Sequence, residues 1–86
     1  RNPNSPTYLD TYGWILFKME KYPEAVKYLE MAKKYSPVQS GEILEHLGDA
    51  YFKMGKTEEA VLNWKAAKEY DGGSDQLDSK IKNKKL

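Results

Sequence analysis

The chain has 86 residues, a formal net charge of +1, 40% hydrophobic and 31% charged side chains, and no cysteine. That length holds one small domain burying roughly 60% of its unfolded surface, which excludes an enzyme with a separate substrate domain. The near-neutral charge excludes the basic excess of a nucleic-acid binder, the missing cysteines exclude disulfides and thiolate metal sites, and no apolar run reaches the roughly 18 residues of a membrane span.

In chain order, Ser5-Pro6 predicts a helix start, because serine accepts a backbone N–H and proline is tolerated in the first turn. Leu9, Tyr12, Leu16 and Met19 then recur at three- and four-residue spacing, an apolar stripe. Pro23 begins a second helix with Ala25, Val26, Tyr28, Leu29 and Ala32 on its apolar side, and Ser36-Pro37 ends it. A third helix carries Ile43, Leu44, Leu47, Tyr51 and Met54 and stops at Gly55 as a left-handed C-cap. Thr57 is expected to cap a fourth, with Ala60, Val61, Trp64 and Ala67 buried and Glu58 and Glu59 facing the positive helix end. Asp71-Gly72-Gly73 closes it. Ser74 predicts the start of a short fifth helix bearing Leu77 and Ile81, with a lysine-rich opposite face. Glu30 with Lys34 and Glu69 with Lys65 read as ordinary solvated pairs. No β-type alternation appears, so the fold class is all-α.

Sliding the chain by 35 residues superposes it on itself. Leu9 falls on Leu44, Gly13 on Gly48, Phe17-Lys18-Met19 on Phe52-Lys53-Met54, and Glu24-Ala25-Val26 on Glu59-Ala60-Val61. In all, 12 of the 27 positions from 9 to 35 are identical, where composition alone gives about one or two. The unit is duplicated.

These residues resemble tetratricopeptide repeats. The first unit supplies Leu9, Tyr12-Gly13, Leu16, Ala25, Leu29, Ala32 and Pro37. The second supplies Leu44, Leu47-Gly48, Tyr51, Ala60, Trp64 and Ala67, with Gly72 where proline is usual. The resemblance implies two helix-turn-helix repeats at 6–39 and 40–73 and a capping helix at 74–86, a right-handed α-solenoid fragment. Residues 1–5 read as a linker or the tail of a preceding repeat, since Pro3 lies one family period of 34 residues before Pro37. With Arg1 in place of methionine, this leads us to expect the C-terminal end of a longer protein, similar to bacterial repeat proteins. The compartment is left open.

The small residues Gly13, Ala25, Gly48 and Ala60 are expected to let paired helices approach. No catalytic set and no cofactor site emerge, and His46, the sole histidine, reads as a partly exposed polar residue rather than a metal ligand. Function is therefore expected in non-catalytic binding. In the family the first helix of each repeat lines a concave face where partners dock. Its residues not engaged in packing include Asp10, Trp14, Phe17 and Lys18 in the first unit. The second unit offers Glu42, Glu45, His46, Asp49, Phe52 and Lys53. Glu42, Glu45 and Asp49 share one helix face, which predicts a groove acidic in the middle with aromatic walls. First-turn acids also fit the helix dipole, and Trp14 also suits packing against a helix outside this chain.

The expected partner is a protein or peptide segment with basic and apolar residues, not a nucleic acid, and no direct membrane insertion is expected. The carboxylates oppose the lysine- and arginine-based clamp by which one subclass of the family grips C-terminal carboxylates. The alternative is a structural end-cap that self-associates through its N-terminal edge, where Tyr8, Trp14, Ile15 and Tyr22 are expected to be exposed.

Overall fold

The 35-residue offset reappears as geometry in a computed structural model, which describes residues 5–85. Five helices follow in order: α1 (Pro6–Lys18), α2 (Tyr22–Tyr35), α3 (Gly41–Lys53), α4 (Thr57–Ala67) and α5 (Leu77–Asn83). No strand occurs among the described residues. The expected tail of a preceding repeat, Asn2-Pro3, lies outside them. α1 pairs with α2 and α3 with α4, α2 packs on α3, and α5 closes on α4. This is a helical repeat fragment.

The first residues of α1 and α3, and of α2 and α4, differ by one period, and so do their caps. The Ser5 hydroxyl accepts from Tyr8 N–H, and the Ser40 hydroxyl from Ile43 N–H. Lys21 and Lys56 precede α2 and α4 with nearly the same backbone angles, φ −96° and −98°. Thr57 is therefore the first residue of α4 and does not cap it. Its counterpart Tyr22 likewise opens α2.

The turns between paired helices share a left-handed residue, with φ +81° at Gly55 and +64° at Glu20. In both, the next amide returns to a carbonyl five residues back, Lys21 to Leu16 and Lys56 to Tyr51, each at 2.9 Å. Glycine adopts this conformation freely, whereas a side chain there costs about 1 kcal/mol. Glu20→Gly should therefore stabilise the chain by about 1 kcal/mol and Gly55→Ala destabilise it by a similar amount, with both shifts readable as urea midpoints.

Three apolar clusters run through the stack. Leu9, Ala32 and Ile43 form one; Leu16, Ala25, Leu29, Leu47 and Ala50 the next; Leu44, Ala60, Trp64, Ala67 and Leu77 the third. The small residues act as expected. A Cβ on Gly13 would sit 2.8 Å from Leu29 Cγ, and one on Gly48 would sit 2.4 Å from Trp64 Cδ1. Two members of the expected α1 stripe, Tyr12 and Met19, are instead exposed.

Glu30, expected to pair with Lys34, accepts a 2.6 Å hydrogen bond from the Tyr51 hydroxyl and so joins α2 to α3. Burial, and next the Glu30 carboxylate beside it, push the Tyr51 phenol up to about 12. A raised phenol favours folding below its ordinary pKa, and that contribution is lost as pH rises from 10 through 12. In an ultraviolet titration one of the seven tyrosines should therefore ionise late, and Glu30→Gln should bring that step to lower pH.

Candidate partner-binding face

α2 returns the chain between α1 and α3, so these two helices run the same way and present their free sides together. The structure joins them through an aromatic row. The Trp14 ring stacks on His46, with centroids 4.0 Å apart and planes at 17°. Trp14 also stacks on Phe17 at 4.5 Å, and Phe17 meets Tyr22 edge-on at 5.4 Å. His46 Nδ1 lies 2.8 Å from Asp10 Oδ1. These rings are only half-buried, so one flank of the row faces solvent. Trp14 and Tyr22 thus belong to this row and not to the exposed N-terminal edge.

The other candidate residues separate by position. Glu42 is exposed in the first turn of α3, and Lys18 and Lys53 are exposed at the last residues of α1 and α3. Phe52 is half-buried beside Trp64, 6.1 Å between centroids. The face therefore carries acids toward its N-terminal end, aromatics in its middle and lysines at its C-terminal end.

Glu45 and Asp49 do not contribute to an open acidic groove. They are 6% and 5% exposed, and α5 covers them. Lys80 of α5, 8% exposed, donates to Glu45 Oε2 at 2.6 Å and to Asp49 Oδ1 at 3.0 Å. Trp64 Nε1–H donates to Asp49 Oδ1 at 3.0 Å, and the Ser74 amide and hydroxyl donate to Glu45 at 2.7 and 2.6 Å. Ser74 therefore anchors the segment before α5 rather than starting the helix.

The charges in this triad respond accordingly. Burial would raise the Glu45 carboxyl, but the bonds from Lys80 and Ser74 outweigh it and hold the group below its ordinary value. For Asp49 burial wins over Lys80 and Trp64, and its pKa goes up. Burial would lower Lys80, but hydrogen bonds to Glu45 and then Asp49 raise it.

The period explains the arrangement. Asp10 and Glu45 are equivalent positions, and each binds a side chain on the next helix of the same face, His46 on α3 and Lys80 on α5. α5 thus takes the place of a third first helix. Sequence reading missed Lys80, because it was counted with the solvating lysines. Its signal was the three-residue spacing from Leu77, which puts both on one face.

The segment spanning α3, α4 and their closing turn begins and ends in contact. Gly41 N–H donates to Asp71 C=O at 2.8 Å, and a Cβ on Gly41 would lie 2.7 Å from Tyr70 O. Residues 41–72 match the family model for the tetratricopeptide repeat. Tetratricopeptide repeats generally mediate protein–protein interaction, and the family is generally non-catalytic. No curated protein matches the chain. The matched repeat holds Glu42, His46, Phe52 and Lys53, while Asp10, Trp14, Phe17 and Lys18 lie on its duplicate.

Proposed function

We propose that this chain is a protein-interaction module that grips a partner segment across the shared face of α1 and α3. The observation that carries the reading is the half-buried row Tyr22–Phe17–Trp14–His46. Aromatic rings that keep one flank in solvent offer large contact area at low entropic cost, which suits partner anchors. With Glu45 and Asp49 buried beneath Lys80, the partner's chemistry is narrower than an acidic groove implies. It places apolar or aromatic side chains on Trp14 and Phe17, a basic group toward Asp10 and Glu42, and an acidic group toward Lys18 and Lys53. Peptides selected from a displayed random library against the whole chain should share that order. They should lose at least about tenfold in affinity against Trp14→Ala, the 1.4 kcal/mol expected of an interface anchor. Selected peptides that bind Trp14→Ala and Lys18→Glu as well as the parent chain would reject the assignment.

A second reading rests on a different face. Tyr8, Tyr12, Ile15 and Met19 are all exposed along α1. One period on, Ile43, Leu47 and Ala50 are buried, in the clusters formed with α1 and α2. Ile15 is 49% exposed and its counterpart Ala50 0%. We propose that this stripe is a helix-docking surface, which a second copy of the chain covers in solution. Sedimentation should show dimers that dissociate in Ile15→Lys with Met19→Lys. A monomer at all concentrations would contradict it.

A further inference from the structure

We propose that Asp10, Glu42 and His46 form a divalent-cation site bridging the two repeats. One donor atom from each lies within 4.8 Å of the other two. The set is not simply a patch of acids: an imidazole nitrogen joins two carboxylate oxygens, a mixture that suits first-row divalent metals and Zn2+ in particular. Glu42 and His46 are four residues apart on α3, so both project from one side of the helix one turn apart. Asp10 reaches them from α1, and its Oδ1 is already 2.8 Å from His46 Nδ1. Zinc holds nitrogen and oxygen ligands at about 2.0–2.2 Å, so donors around one ion stand roughly 3 Å apart. Asp10 and His46 are thus at ligand spacing. As the ion binds, it displaces the proton of their hydrogen bond, leaving the imidazole neutral with its proton on Nε2, and Glu42, exposed and free to change rotamer, closes on them.

Two surrounding features favour the site. Trp14 lies flat on the His46 ring and holds its plane. Asp10 and His46 side chains are 12% and 15% exposed, so each is largely desolvated while keeping an open side for an ion. Three protein ligands leave a further position for water, and an ion bound there competes with the partner's basic group for Asp10 and Glu42. The bound ion would tie α1 to α3 in place of the Asp10–His46 bond and beside the Trp14 stack, outside the apolar clusters the two helices share.

Trp14 also reports on the site. Titration of the whole chain with Zn2+ by calorimetry should saturate at one ion per chain. Co2+, an open-shell substitute, should quench tryptophan fluorescence, and this quenching should vanish in Trp14→Phe because Trp64 lies elsewhere in the core. His46→Gln should abolish Zn2+ binding. Glu42→Gln, an exposed change that leaves helix packing intact, should weaken it about tenfold or more. No saturable Zn2+ binding, or equal binding in both variants, would overturn the proposal and leave Asp10–His46 as a plain inter-helix hydrogen bond.

Discussion

Replacing Lys80 by methionine destabilises the chain by about 3 kcal/mol, because it leaves two carboxylates buried without a counter-ion. Methionine preserves the apolar stem, so the loss isolates the ammonium and not the packing. The cost is bounded by the docking of α5. Once that exceeds the gain from Leu77 and Ile81, the helix lifts off and water reaches Glu45 and Asp49. Proteolysis and hydrogen exchange should therefore show α5 released in this variant while α1 and α2 remain protected. For a chain of this length the melting temperature should fall by more than about 10 °C. Glu45→Gln in the same background should recover part of the loss, since it removes one of the stranded charges.

The same triad sets the pH limits of stability. Glu45 lies below its ordinary value when folded, so its contribution is present above about pH 4.5 and is lost as pH falls through the folded value. Asp49, raised by burial, acts in the opposite sense and blunts that acid loss. Lys80 is raised, so its contribution is complete below its ordinary 10.5 and disappears as pH climbs through the folded value. Tyr51 weakens the fold over the same alkaline range. Stability should thus fall more steeply above pH 10 in the parent chain than in Lys80→Met with Glu30→Gln, as urea midpoints across pH would show.

Gly48→Ala should be nearly as damaging, at about 3 kcal/mol, the upper end for overpacking. The new methyl would lie 2.4 Å from both Cδ1 and Nε1 of Trp64 and 3.0 Å from the Ala60 carbonyl. Trp64 is fully buried and cannot swing aside. Any shift also strains its bond to Asp49 and hence the Lys80 triad. Gly13→Ala tests the argument from within the chain. There the neighbour is Leu29, equally buried, but its nearest atom, Cγ, lies at 2.8 Å rather than 2.4 Å, so the cost should be smaller, about 2 kcal/mol. Urea unfolding of the two variants should give that order, and no loss in Gly48→Ala would show that helix approach is not what Gly48 serves.

The helical repeat was legible because duplication reports twice on each position. Gly13 with Gly48, Ala25 with Ala60, and the equivalent starts of α1 and α3 each confirm one another. The self-match also held the signal against a Thr57 cap, since Tyr22 at the same position cannot cap a helix. The part that escaped was long-range. The spacing from Leu77 sets Lys80 apart from Lys82, but nothing local says that it meets two carboxylates, because that depends on α5 folding back over α3. The charge balance hinted at it, with a net −3 over residues 41–73 beside +2 over 74–86. The Trp14–His46 stack escaped for a related reason. It pairs residues 32 positions apart, and that offset depends on how one repeat rotates on the next. The residues of the face were legible, but which of them remain available was not.

The central claim is that partners engage the α1–α3 face through its aromatic row. Backbone and indole chemical shifts of the whole chain, followed while a library-selected peptide is added, test it most directly. Trp14, Phe17, His46 and Lys53 should move together, and the shifts should collapse in Trp14→Ala. Shifts confined to α2 and α4, with Trp14 unmoved at saturation, would contradict the account.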